Sequence, residues 1–341
     1  MKFGPVPVGA AVGLIAAHTI RAGGATLRKG RSIPPETIAG LEAEGVRDLV
    51  AVTLEPDDVG EDAAAEALAR HVAGAGLRRE PPFTGRCNLF AMEAGVLVID
   101  RAGIDAINGV DEAITVATLP PFKPVVAGEM IATVKIIPYA VPGAVLARAH
   151  AATAQGALRV APYRRRRVGV VSTRARSLKE ATIDRTLAIL TERLAPTGAE
   201  IVADARVPHA PAAVAAALTD VVERAGADLA IVFGASAIAD RRDVIPAGIE
   251  AAGGRVIHLG MPVDPGNLLL VGARGDVPVI GAPGCARSPK ENGFDWVLHR
   301  LLADLPVTRA DIVALGVGGL LMEIVSRPQP RSGAASADDE E

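Results

Sequence analysis

Between residues 168 and 305, strand-like and helix-like segments alternate with short connections, and this alternation limits the fold more than anything else in the chain. Val168–Thr173 is an apolar run ending in small polar residues, and 179–194 has the spacing of an amphipathic helix. Strands are expected at Glu200–Ala205, Ala227–Phe233 and Arg255–Leu259, and helices at Pro211–Arg224, Val244–Ala252 and Phe294–Leu302. Asn267–Ala273 and Val277–Ile280 read as a hairpin around Arg274-Gly275-Asp276. Strands apolar on both faces and separated by helices make a mostly parallel sheet covered on both sides. The expected fold class is therefore α/β, a doubly wound mostly parallel sheet in the C-terminal half. In such sheets ligands bind beyond the carboxyl ends of the strands.

Upstream the pattern is weaker. Residues 11–50 read as helix, basic loop, helix and strand, with Ser32 as a helix cap and Gly45 as a stop. Asp57–Asp62 opens an Ala-rich helix reaching about Val72. Strands are expected at Gly95–Asp100, Asp111–Leu119 and Met130–Tyr139, and a helix at Val141–Ala152. Lys135 interrupts the third strand, either at an exposed edge position or aimed at a ligand. The expected organisation is an N-terminal segment 1–55, a β-rich middle region 56–160, the α/β domain 166–305, an extension 306–325 and a disordered tail 326–341. The tail reads SRPQPRSGAASADDEE from residue 326 and is too polar and Pro-rich to pack.

Charge and composition remove several functions. A net charge of -3 with 3% aromatic residues gives neither the basic field nor the stacking platform of a nucleic-acid binder. The basic run Arg164–Arg167 reads as a solvated domain entrance, with a phosphate anchor as the alternative. Cys87 and Cys285 form no disulfide framework and no zinc spacing, which suits a reducing cytoplasm. The apolar N-terminus imitates a signal peptide, but Pro5, Pro7 and Gly9 interrupt it, and no stretch approaches 18 apolar residues. A soluble cytoplasmic protein is expected, with no membrane and no nucleic acid among its partners.

Three loops carry the candidate chemistry. The first, Phe233–Pro246, puts the small residues Gly234, Ala235 and Ser236 where a backbone can approach a phosphate. The charged group Asp240, Arg241, Arg242 and Asp243 follows at a helix start. Arg241 and Arg242 suit phosphate oxygens, Asp240 and Asp243 are the candidate catalytic acids, and Asp243 is the candidate magnesium ligand. A helix N-cap is the plainer role for Asp243. The second loop is Gly260–Asn267, with Asp264, Pro265, Gly266 and Asn267, which serves equally well as a turn setting strand register. The third, Gly281–Gly293, carries Gly281, Pro283, Gly284, Cys285, Arg287 and Ser288, and with Lys290 and Asn292 it reads as an anion-binding lip. Cys285 is either a soft ligand or a small buried residue.

In order and spacing these loops resemble the MoaB/Mog-type molybdopterin-binding domain found in MoeA-like molybdopterin molybdotransferases. The resemblance runs over about 166–305 and includes Val168–Thr173 and Asp184. Arg28-Lys29-Gly30 with Ile33-Pro34 and Gly45 is more faintly similar to a MoeA-like segment, and 55–150 matches poorly. The resemblance implies a pterin phosphate bound by Gly234–Ser236, Asp243 and Gly281–Gly284. It departs at Ala235 in place of a second glycine, at Asn267 in place of a loop lysine, and at Cys285–Pro289.

The implied function is molybdenum cofactor biosynthesis: binding molybdopterin or its adenylylated form and assisting molybdate insertion, with magnesium. The alternative is a carrier or sensor serving a molybdenum hydroxylase or working beside a pterin nucleotidyltransferase. A nucleotide-salvage hydrolase of the competence-damage type is a third reading. MoeA-like relatives imply a homodimer.

Overall fold

The computed structural model describes residues 1–22, 24–175 and 178–321. The expected disordered tail 326–341 and the end of the 306–325 extension lie outside these residues. The chain forms two compact units, Met1–Pro162 and Tyr163–Glu341.

The first unit has two apolar cores. The smaller gathers Val8, Ala16, Ile33, Ile38, Leu41 and Ala51. Here the helix expected near residue 11 is absent. Gly13 takes a left-handed φ of 81°, and the strands Lys2–Pro7 and Ile15–Ala16 flank Asp48–Thr53 in one sheet. Glycines at 9 and 13 favour turns, and pairing of Ile15 and Ala16 with Val52 and Ala51 supplies backbone bonds a helix would have made. Pro35–Ala43 is helical as expected, but Pro34 caps it; Ser32 instead donates its hydroxyl to the Gly13 carbonyl. The larger core packs Ala64, Ala65, Leu68, Ala69 and Val72, one face of the helix Glu61–Val72, against strands that include Arg86–Ala91 and Met130–Ile136. Met130–Ile136 is an interior strand, so Lys135 is at no edge. Its ammonium donates to the Thr84 carbonyl and stands 3.9 Å from Glu61, which commits it within the fold.

The second unit is built on a six-stranded sheet. Its strands are β1 (Arg167–Arg174), β2 (Glu200–Pro208), β3 (Leu229–Phe233), β4 (Arg255–Leu259), β5 (Leu270–Arg274) and β6 (Val277–Ala282). Their order is β2-β1-β3-β6-β5-β4. β2, β1, β3 and β6 run parallel, whereas β5 is antiparallel to both β6 and β4. The helices are α1 (Glu180–Leu194), α2 (Pro211–Thr219), α3 (Val244–Ala251), α4 (Gly293–Leu302) and the short α5 (Arg309–Val313).

Right-handed crossovers running in opposite directions along the sheet place α1 and α2 on opposite faces. α2 and α3 bury Val214, Leu218, Ile245 and Ile249 with Val171, Val232 and Val279 of the sheet. Phe233, Ile231 and Ile280 are fully buried, each contributing roughly 2–3 kcal/mol of transfer free energy. This is the doubly wound α/β architecture, with an antiparallel far edge.

The run Arg164–Arg167 stands at the entrance to the second unit, where Arg164, Arg166 and Arg167 are exposed, and it is not placed to anchor a ligand. Arg165 donates to the Asp228 carbonyl and pairs with Asp304 at 2.6 Å. Arg166 donates to the Thr197 carbonyl, and Arg167 to those of Ala225 and Gly226. These acceptors lie at the amino ends of the strands, where loop carbonyls need donors and a ligand site is not expected. Among the described residues no helix is long and apolar enough to cross a membrane.

Candidate functional site

All three candidate loops leave or enter the sheet at the edge where β1, β3 and β6 end. After Phe233 the chain turns sharply at Gly234, where a Cβ would come within 2.9 Å of Ile245 Cδ1. The Ala235 N–H donates to Thr173 Oγ1 at 2.8 Å, which ties the turn to the end of β1. Ser236 projects to the exposed side. Asp243 closes the loop: its carboxylate accepts the N–H of Ala239 at 3.2 Å and of Val244 at 2.7 Å, so it caps α3. Asp240 accepts both the backbone N–H and the Nε of Arg242, at 2.9 and 2.6 Å, and this pairing holds its carboxyl below the usual carboxylate range. Arg242 is thereby turned back onto its own loop. Arg241 is exposed, with Nη1 3.5 Å from the Val256 carbonyl.

The loop after β6 carries the more unusual cation. Arg287 leaves a short 3-10 turn, Gly284–Arg287, and runs back under the first loop. Nη1 donates to Thr186 Oγ1 at 2.8 Å and Nη2 to the Gly234 carbonyl at 2.9 Å, while the guanidinium lies 5.3 Å from the centre of the Phe233 ring. Burial lowers its affinity for the proton relative to an ordinary arginine. Among the described residues no carboxylate pairs with it. A partly desolvated guanidinium with donors to spare and no counter-ion suits an anion.

The rest of this loop is held from below. Arg193 of α1 donates to the carbonyls of Ala286 at 2.7 Å and Ser288 at 2.5 Å, and its Nε pairs with Asp295 at 2.7 Å. Asn292 is no part of an anion-binding lip. It is buried and forms a capping box with Asp295 at the start of α4, while its amide donates to the carbonyls of Cys285 and Lys290. Sequence position suggested a lip; the helix start behind it needed the cap more. The Cys285 thiol donates to Asn292 Oδ1 at 3.5 Å, and Ser288 Oγ accepts the Lys290 N–H at 3.3 Å. Gly281 and Pro283 are buried, and a Cβ on Gly281 would meet Ile238 Cδ1 at 2.7 Å, so that glycine answers to packing.

The loop before β5 lies two strands further out. Asp264-Pro265 is a cis peptide, and Pro265 and Gly266 are buried; the Pro265 carbonyl accepts the Gly293 N–H at the start of α4. Asp264 exchanges backbone bonds with Gly319 and Leu321. Asn267 and Gly284 are exposed at the rim. Asp184 is committed to an ion pair with Arg206 at 2.7 Å.

One site residue was missed. His209, just beyond the end of β2, places Nδ1 2.9 Å from Thr173 Oγ1 and Nε2 3.1 Å from Ser236 Oγ. The signal was available: β2 also ends on the ligand side, and His209 stands just ahead of Pro211 at the start of α2.

The residues do not make a resident metal site. Among those described, no three or more His, Cys, Asp or Glu side chains converge, and Asp243 already accepts two backbone N–H groups. A magnesium ion at this edge would take most of its oxygens from ligand phosphates and water.

Residues 169–304 match the family described as a probable molybdopterin binding domain. The match covers well under half of the chain and lies wholly in the second unit. The chain is also similar to solved structures. With the molybdopterin biosynthesis enzyme MoaB from Thermus thermophilus it shares 20% identity over 41% of this chain and 98% of that one, with a TM-score of 0.28. With the molybdopterin biosynthesis MoeA protein from Pyrococcus horikoshii it shares 15% over 89% and 75%, at 0.32. With the molybdopterin biosynthesis Mog protein from Mycobacterium ulcerans it shares 20% over 41% and 99%, at 0.28. No curated protein matches the sequence.

Proposed function

We propose that the second unit binds the phosphate-bearing pterin molybdopterin, or its adenylylated form, at the edge where β1, β3 and β6 end. On this reading the chain acts in molybdenum cofactor biosynthesis and assists molybdate insertion. The observation that carries the proposal is Arg287, a half-buried guanidinium bridged to the Gly234 turn with no carboxylate partner among the described residues. The family match over 169–304 supports the pterin as the ligand. Ser236, Ala235 and Gly284 would line the ligand, Arg241 and Asn267 would stand at the rim, and Asp243 would act through the shape of its turn.

A second reading, a carrier or sensor that holds molybdopterin without turnover, is favoured by the commitment of Asp243 to α3 and of Asp240 to Arg242. The two are separated by AMP release from adenylylated molybdopterin, with magnesium, in the presence and absence of molybdate. Molybdate-dependent release establishes the transferase. Tight binding without release establishes the carrier, and no binding removes both.

A further inference from the structure

Thr173, His209 and Ser236 form a hydrogen-bonded chain across the ligand edge, and its direction follows from donor counting. Thr173 is fully buried. Its oxygen accepts the Ala235 N–H, and the only acceptor that the described residues offer its hydroxyl hydrogen is His209 Nδ1, at 2.9 Å. A buried hydroxyl that fails to donate loses a hydrogen bond it would have had in water. Thr173 therefore donates and Nδ1 accepts. In a neutral imidazole the other nitrogen then carries the hydrogen, so Nε2–H donates to Ser236 Oγ at 3.1 Å. With its oxygen engaged as an acceptor, the exposed Ser236 keeps its own hydrogen for a group outside the protein.

We propose that His209 is a positioning residue that fixes Ser236 as a hydrogen-bond donor to a ligand phosphate, on the same turn that Arg287 braces through the Gly234 carbonyl. The inference rests on the phosphate-binding reading above and adds to it the residue that sets the polarity of the serine. Had the chain run the other way, from Ser236 into Nε2, His209 would be a base and Ser236 an incipient nucleophile. The buried Thr173 hydroxyl excludes that direction, because it would then face an Nδ1–H with no acceptor of its own. Three segments far apart in sequence meet here: the end of β1, the entry to α2 and the turn after β3.

The test uses the full chain labelled with nitrogen-15 histidine, the His209 signal being the one lost in His209→Gln. Long-range proton–nitrogen spectra at neutral pH should show His209 protonated at Nε2 and bare at Nδ1. An Nδ1–H tautomer would overturn the proposal whatever the ligand does. Binding is then measured with molybdopterin and, separately, with inorganic phosphate. His209→Ala should weaken both about tenfold, Ser236→Ala equally, and the double variant no further, since both remove the same donor. His209→Gln, whose amide reaches the Nε2 position, should recover most of the loss. Additive losses, or unchanged binding in His209→Ala, would overturn the role of His209 and leave the phosphate site standing. If the wild-type chain binds neither probe, both the site and this role fail, while the tautomer still reports the direction of the chain.

Discussion

The Arg287 guanidinium donates to two neutral oxygens, so its charge is uncompensated in a partly dry place. Replacing a half-buried cation by an apolar chain of similar length removes a desolvation cost together with those bonds, and the two nearly cancel. Arg287→Met should therefore change unfolding stability by no more than about 1 kcal/mol, while weakening molybdopterin binding at least tenfold. Arg287→Lys keeps the charge but cannot span Thr186 and Gly234, and should bind almost as poorly. Denaturant titration beside ligand titration separates the two effects, and a parallel loss of stability and binding would make the arginine merely structural. At this scale the sequence was readable where a residue's partners are close by: Asp243 caps the helix that follows it. For His209 only the position at the end of β2 was readable, not the contacts, because its partners lie thirty-six and twenty-seven residues away in opposite directions.

Elements were readable where their periodicity was their own. The helices at 180–194 and 244–251 and the hairpin of β5 and β6 follow from local spacing and from the Gly275-Asp276 turn. The strand Arg86–Ala91 went unnoticed although Cys87, Leu89 and Ala91 alternate inward, because its polar residues Arg86 and Asn88 dilute the pattern. At the N-terminus an apolar run suggested a helix, and a distant strand decided otherwise. The capping box of α4 gives a direct test of how an element supports the site. Asn292→Ala removes the side-chain acceptor for the Phe294 N–H and both donors to the Cys285 and Lys290 carbonyls. It should cost about 1–2 kcal/mol and increase amide exchange between residues 285 and 291. Unchanged exchange there would mean that Arg193 alone holds the loop.

Across the whole molecule, each unit half-buries a histidine whose imidazole is pushed below its ordinary value of 6.5. His299, in the second unit, is shifted by burial, and its Nδ1 lies 2.8 Å from the Tyr163 hydroxyl. His150, in the first, is shifted by burial and by the neighbouring His71 ring at 4.9 Å. Both are depressed groups, so unfolding takes up protons as the pH falls below 6.5. The stability they contribute is complete above that value and is lost as pH falls through their folded-state values. Thermal unfolding should shift to lower temperature between pH 7 and pH 5.5, and His299→Gln should flatten the slope for the second unit alone. An equal slope in that variant would assign the effect elsewhere.

The antiparallel far edge of the second unit also bears on how the chain acquires its shape. β4, β5 and β6 are consecutive in sequence, and closing them needs only short loops. β3 must join β6 across more than forty residues, and the connections among β1, β2 and β3 each wrap a helix. Loop-closure entropy makes the local meander the cheapest part to assemble, and the parallel strands then add to its β6 edge in turn. The ligand edge, which needs the ends of β1, β2, β3 and β6 together, is on this order the last part to exist. Pulse-labelled hydrogen exchange during refolding should find β5 and β6 protected before β2. A ligand of this edge could recognise only the finished edge, and would stabilise the native chain without hastening its formation.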